Sequence, residues 1–206
     1  MQTQKKKLHG VMSDQVAPVV NDLVSLLDQR LRNQFEGLYL VGSVAFDDFC
    51  PGQSDIDFIA IVSKATDCSP LPSIHAEIAR RHRGVHCDGI YLTRCELSRP
   101  PDGRGPVARA GKVTMSAPDE RHPVTWLTLL SHGLTVRGSE PSSSWIAADF
   151  DAAIEYSRQN LLSYWLPWID RRRRLVGFGG PSLLTKWAVV WGALGVARLY
   201  TAITTG

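Results

Sequence analysis

Asp55 and Asp57 stand at the mouth of an apolar run, Ile56 to Val62, in the stretch LYLVGSVAFDDFCPGQSDIDFIAIV. Successive side chains of a strand point to opposite faces, so Asp55, Asp57, Ile59 and Ile61 share one face. Ile56, Phe58, Ala60 and Val62 share the other. Two carboxylates aimed the same way repel and are costly to desolvate unless a cation sits between them. Just upstream, Gly42-Ser43 falls where a buried strand, Leu38 to Val41, turns into a short helix, a place where backbone N–H groups are open to an anion. A divalent cation held by oxygens, beside a nest for phosphate, satisfies both features. The chemistry implied is that of a nucleotide–magnesium site.

A third acid, Asp88, lies within the apolar stretch Val85 to Leu92, on a face with His86, Ile90 and Leu92. An acid in mid-strand needs a reason: it either joins the first two or faces water from an edge strand. His82, His86, Cys87 and Cys95 do not have the spacing of a zinc finger, and two of them alternate faces on one strand. There is no GxSxG elbow, no Ser-His-Asp arrangement and no Gly-rich Walker loop.

The positioning elements follow from apolar periodicity. Val16, Val19, Val20, Leu23, Leu26, Leu27, Leu31 and Phe35 recur at helical spacing, with a cap at Ser13 or Asp14 and a stop at Gly37. Ile74, Ile78 and His82 mark a second helix that opens after Ser69-Pro70 and stops at Gly84. Residues 97–122, rich in Pro, Gly and charge, read as a loop. His122 to His132 is a helix with Pro123 in its first turn, and Leu134 to Arg137 a short strand. Glu140 to Ser144 is a polar linker, which divides the chain into domains at 1–139 and 140–206. Beyond it, Ile146 to Trp165 is helical, four arginines from Arg171 read as a solvated helix end, and a final helix from Pro181 is apolar nearly all round, the spine of a helical bundle. With 206 residues, 44% hydrophobic content and 21% charged, the chain has ample core. The net charge of +3 is too mild to indicate a nucleic-acid partner. No run is long enough to span a bilayer, no apolar segment follows the basic N-terminus, and the four cysteines lack a disulfide pattern, so the expected setting is the cytoplasm.

Gly42-Ser43, eleven residues, then Asp55-x-Asp57 resembles the signature of the polymerase-β-like nucleotidyltransferase superfamily, and more narrowly that of the aminoglycoside adenylyltransferases that modify streptomycin and spectinomycin. The resemblance implies an α+β fold: a nucleotidyltransferase domain with a mixed sheet flanked by helices, then an α-helical bundle. It implies transfer of AMP from ATP to a hydroxyl of a small acceptor, with two Mg²⁺ ions on Asp55 and Asp57. Asp88 matches a third carboxylate, usually Glu and so one methylene longer, that ligates metal or takes the acceptor's proton. Gly42, Ser43 and Ser54 would donate to the phosphates. Gly195 to Thr201 resembles the family's LxxARxxYTxxTG helix, which makes Arg198 a phosphate contact. The family continues with a Ser-Lys step, whereas this sequence ends at Gly206, so a truncated helical domain is expected. The expected partners are a nucleotide and a small-molecule acceptor of a monomeric protein. The rival expectation is a non-catalytic nucleotide-binding relic, or an antitoxin-like partner of the same fold.

Overall fold

The computed structural model describes residues 14–64, 66–118 and 120–176, the side chains of 172–176 excepted. The chain divides into two compact units, the first ending at Ala148 and the second beginning at Asp149.

The first unit is a six-stranded mixed sheet in the order β5-β4-β3-β2-β1-β6. Helix α1 (Val16–Leu31) leads through a 3-10 turn, Arg32–Gln34, into β1 (Phe35–Val41). The helix therefore stops short of Phe35, which opens the strand instead. A register shift between Phe35 and Gly37 lets β1 begin there, and its later residues Leu38, Tyr39 and Leu40 are buried on both faces of the sheet. After β1 come the short helix α2 (Gly42–Ala45), β2 (Ile56–Val62), α3 (Leu71–Arg81) and β3 (Cys87–Leu92). β1 and β2 are antiparallel, whereas β2 and β3 are parallel. A parallel pair needs a crossover, and α3 supplies it.

The next elements are α4 (Arg94–Leu97), β4 (Gly105–Arg109), β5 (Lys112–Ala117), α5 (Pro123–His132) and β6 (Leu134–Arg137). Residues 97–122 are thus not one loop: β4 and β5 form a hairpin that extends the sheet beyond β3. β5 carries Lys112, Thr114 and Ser116 at the sheet's edge and is mostly exposed, so it lacks the apolar alternation by which a strand is read.

Each sheet face has its own core. Ile56, Phe58, Ala60 and Val62 pack with Tyr91 and the apolar stripes of α1 and α3. Ile59, Ile61, Ile90 and Leu92 pack with Tyr39, Leu97, Trp126, Leu129 and Ile146 on the opposite face. Residues 140–144, expected as the domain boundary, are tied to the first unit. Thr135 donates to the Glu140 carboxylate at 2.8 Å, Tyr39 donates to the Ser139 carbonyl at 2.7 Å, and Ile146 is buried.

In the second unit, α6 (Phe150–Asn160) is capped by Asp149, whose carboxylate accepts from the Ala152 amide at 3.0 Å. A π-helical turn, Leu161–Trp165, leads to α7 (Leu166–Val176). Pro167 has no N–H to give the preceding turn, a local reason for the widened winding. The expected final helix and Arg198 lie outside the described residues. Among the described residues no helix is long and apolar enough to cross a membrane.

Candidate active site

The end of the sheet where β1 finishes and β2 and β3 begin gathers most of the residues singled out above. Val41, the last residue of β1, is the register partner of Asp57, and Asp57 is in turn the register partner of Asp88 on β3. Parity places Asp57 with Ile59 and Ile61, and Asp88 with Ile90 and Leu92, on the same face of the sheet. Two carboxylates on adjacent strands therefore lie side by side, about 4.8 Å apart in backbone spacing.

Gly42 follows β1 with φ +63°, a conformation that L side chains rarely adopt. A Cβ placed on it would lie 2.2 Å from Oδ2 of Asp57, so the Asp57 carboxylate rests against the bare Cα. The next residue, Ser43, has a buried hydroxyl with no hydrogen-bond partner among the described residues. Its carbonyl accepts from the Asp48 amide at 2.9 Å, and the Gly42 carbonyl accepts from the Phe46 amide at 3.2 Å, which closes the tight turn after the strand.

Asp55 lies one residue ahead of β2 and is exposed. Its loop is pinned at Ser54, whose amide donates to the Cys50 carbonyl at 2.9 Å and whose hydroxyl accepts from the Cys50 amide at 3.1 Å. The Ile56 amide donates to the His86 carbonyl at 2.9 Å, which anchors the start of β2 beside β3. Asp88 is half-buried, and its Oδ1 accepts from the Ala110 amide at 2.8 Å. Burial, opposed by that hydrogen bond and reinforced by the charge of Asp55, holds the Asp88 carboxyl above the usual carboxylate range, while His86 and Arg109 pull it down. The neighbouring Cys87 thiol is fully buried and pushed well up, by burial first and then by Asp88 and Asp57.

The structure thus brings Gly42, Ser43, Asp57 and Asp88 together, with Asp55 and Ser54 on the loop that enters β2. The donor set is all oxygen, which suits a hard cation such as magnesium. The space over Gly42 is taken by the Asp57 carboxylate, and the Ser43 hydroxyl, without a partner among the described residues, fits a ligand with polar oxygens. Among the described residues no three potential ligands are gathered closely enough to form a metal cluster. Two neighbours of the site were missed in the sequence. The Ala110 amide arrives from a hairpin that reads as loop, although Ala110-Gly111 between Val107 and Val113 is a turn signal. Phe46, 54% exposed, packs on His132 with ring centroids 4.7 Å apart, a contact between distant segments that no local pattern announces.

This fold has known counterparts. The chain is similar to a spectinomycin adenyltransferase of Enterococcus faecialis, solved with ATP and spectinomycin, with a TM-score of 0.54 and 14% identity over 92% of this chain and 89% of that one. A toxin–antitoxin structure solved with AMP-PNP matches more loosely, with a TM-score of 0.37 and 16% identity over 73% of this chain and 95% of that one. No protein-family profile and no curated protein matches the chain. The backbone is thus of the fold seen in that spectinomycin adenyltransferase.

Proposed function

We propose that the protein transfers AMP from ATP to a hydroxyl of a small acceptor, with an aminoglycoside antibiotic as the acceptor class. One observation carries this reading: the Asp57 carboxylate is seated on a left-handed Gly42, next to a Ser43 hydroxyl without a partner among the described residues, and Asp88 stands beside it on the parallel strand. The fold it shares with an adenyltransferase solved with ATP and spectinomycin supports it.

In this reading Asp55, Asp57 and Asp88 hold magnesium, as two ions. Bound there, magnesium lowers the pKa of an attacking hydroxyl and neutralises the leaving pyrophosphate. Gly42 and Ser43 donate to the terminal phosphates, and the Ser43 hydroxyl is available because nothing in the described protein uses it. The Ser54 hydroxyl accepts from Cys50, which leaves its own proton to donate. Asp88, with its carboxyl raised by burial, serves as a metal ligand or accepts the acceptor's proton. Arg198 is proposed as a phosphate contact on the resemblance of residues 195–201 to the family's motif alone. The protein works as a cytoplasmic monomer.

Calorimetric titration with ATP in the presence and absence of Mg²⁺, on wild type and Asp57→Asn, tests the site. Magnesium-dependent binding that disappears in the variant is expected, followed by pyrophosphate release with streptomycin or spectinomycin as acceptor. A wild type that binds no ATP overturns the reading and leaves a partner-binding protein of the same fold.

A further inference from the structure

The β4–β5 hairpin touches the site at one point. β4 runs antiparallel to β3 with Gly89 opposite Ala108 and Ile90 opposite Val107. The chain leaving Ala108 therefore passes beside Asp88 at Arg109 and reverses at Ala110-Gly111, with Arg109 paired to Lys112 across the turn. Both central residues have positive φ, 49° and 74°. That is the mark of the two-residue hairpin turn whose twist suits its strands, a turn normally built from Asn, Asp or Gly. Alanine has no side-chain group to favour the left-handed region, so its presence at position 110 is a local strain that the surroundings maintain.

What maintains it is packing from one side and a hydrogen bond on the other. A Cβ on Gly111 would lie 2.6 Å from Cβ of Ala79, so α3 backs the turn at close range. The Ala110 amide, which the turn leaves outside the strand ladder, donates to Oδ1 of Asp88 at 2.8 Å. The crossover helix is thus linked through two small residues to the carboxylate.

We infer that the main-chain amide of Ala110 is the positioning group for Asp88. Holding Oδ1 stops rotation of the carboxylate and leaves Oδ2 as the oxygen presented to the site. An aspartate suits this device: with one methylene fewer than glutamate it has fewer torsions to fix, and a single hydrogen bond is enough. A glutamate at 88 would carry its oxygens beyond the amide. This inference rests on the transferase reading for what Asp88 acts upon, but the contact itself can be tested without turnover.

The test has two parts. Hydrogen exchange of the Ala110 amide, followed by NMR without nucleotide, is expected to be slow in wild type and fast in Asp88→Ala. Equal rates would overturn the contact. Replacing Ala110 by its α-hydroxy analogue, lactate, turns that amide into an ester, which removes the N–H and weakens the Arg109 carbonyl as an acceptor while leaving every side chain in place. With MgATP and spectinomycin or streptomycin, the ester protein is expected to lose about a hundredfold in kcat, with KM for ATP unchanged and the melting temperature lowered by only a few degrees. Ala110→Gly, with the N–H in place, should recover the loss. An ester protein with wild-type kcat would overturn the positioning role. A wild type that releases no pyrophosphate with either acceptor would overturn the transferase reading and the positioning role together, while the exchange rates would still decide the contact.

Discussion

Asp57 and Gly42 are matched through a missing atom: the carboxylate occupies the space that a Cβ at position 42 would need, 2.2 Å from Oδ2. The glycine is doubly required, since its φ of +63° also lies where an L side chain is strained. Gly42→Ala should therefore do more harm to the site than to the fold. The backbone penalty is about 1–2 kcal/mol, worth roughly 2–4 °C of melting temperature per kcal/mol at this chain length. The displaced Asp57 should abolish magnesium-dependent ATP binding. Thermal melts and calorimetry on the same variant check both halves. A variant that binds ATP normally would show that Asp57 does not need this seat.

His75 is buried against Phe58 and shares a 2.7 Å hydrogen bond with the Tyr91 hydroxyl, while its Nδ1 has no partner among the described residues. Burial drives its pKa down to about 4 from 6.5. The unfolded chain then binds the extra proton between these two values. Stability is accordingly full above about pH 6.5, falls as the pH drops, and levels off below about 4. The loss is on the order of 3 kcal/mol across the window. Urea unfolding of wild type across this range should show the slope, and His75→Phe should flatten it. A variant with the wild-type slope would assign the effect to other groups.

The Arg121 guanidinium is almost fully buried. It donates to the Tyr91 carbonyl at 2.8 Å and lies 3.6 Å from Glu96, but its Nε and one terminal nitrogen have no hydrogen-bond partner among the described residues. Glu96 is one-quarter exposed and held by the Thr93 amide and hydroxyl, so removing the arginine strands little charge. Arg121→Met should therefore hold or raise stability, by up to about 1–3 kcal/mol. Gly105→Ala should lower it, because a Cβ there would lie 2.1 Å from the guanidinium. The double variant should recover the loss. Melting temperatures of the three proteins decide the point, and a destabilised Arg121→Met would mean that the buried pair is a net gain.

The parts of this architecture that repeat locally were legible in the sequence. IDFIAIV is a near-continuous apolar run buried on both faces, so it reads as a central strand. The common face of Asp57, Ile59 and Ile61 followed from the two-residue repeat of a strand, as did that of Asp88, Ile90 and Leu92. What stayed hidden depends on contacts between distant segments. The β4–β5 hairpin was masked by an exposed edge strand and by Pro and Gly on its approach. The hydrogen bond from Ala110 to Asp88 spans 22 positions and exists only because that hairpin forms. The seat of Asp57 on Gly42 needed the antiparallel register of β1 and β2, which no spacing specifies. Phe35 went to the strand because a register shift accommodates it where helical periodicity also included it.

Ser43 separates stability from function most clearly. Its hydroxyl is buried and has no partner among the described residues, which costs about 1–3 kcal/mol relative to a site without the polar group. Ser43→Ala should therefore raise the melting temperature of the ligand-free protein. In the proposed reaction the same hydroxyl donates to the phosphates, and loss of one such donor costs about 3 kcal/mol, or roughly a hundredfold in rate. The expected variant is thus more stable and much less active, a combination that simple packing at this position would not produce. Melting curves without nucleotide, paired with pyrophosphate release under MgATP, read the two effects independently. An alanine variant that is more stable and equally active would make the hydroxyl a packing defect and remove Ser43 from the phosphate site.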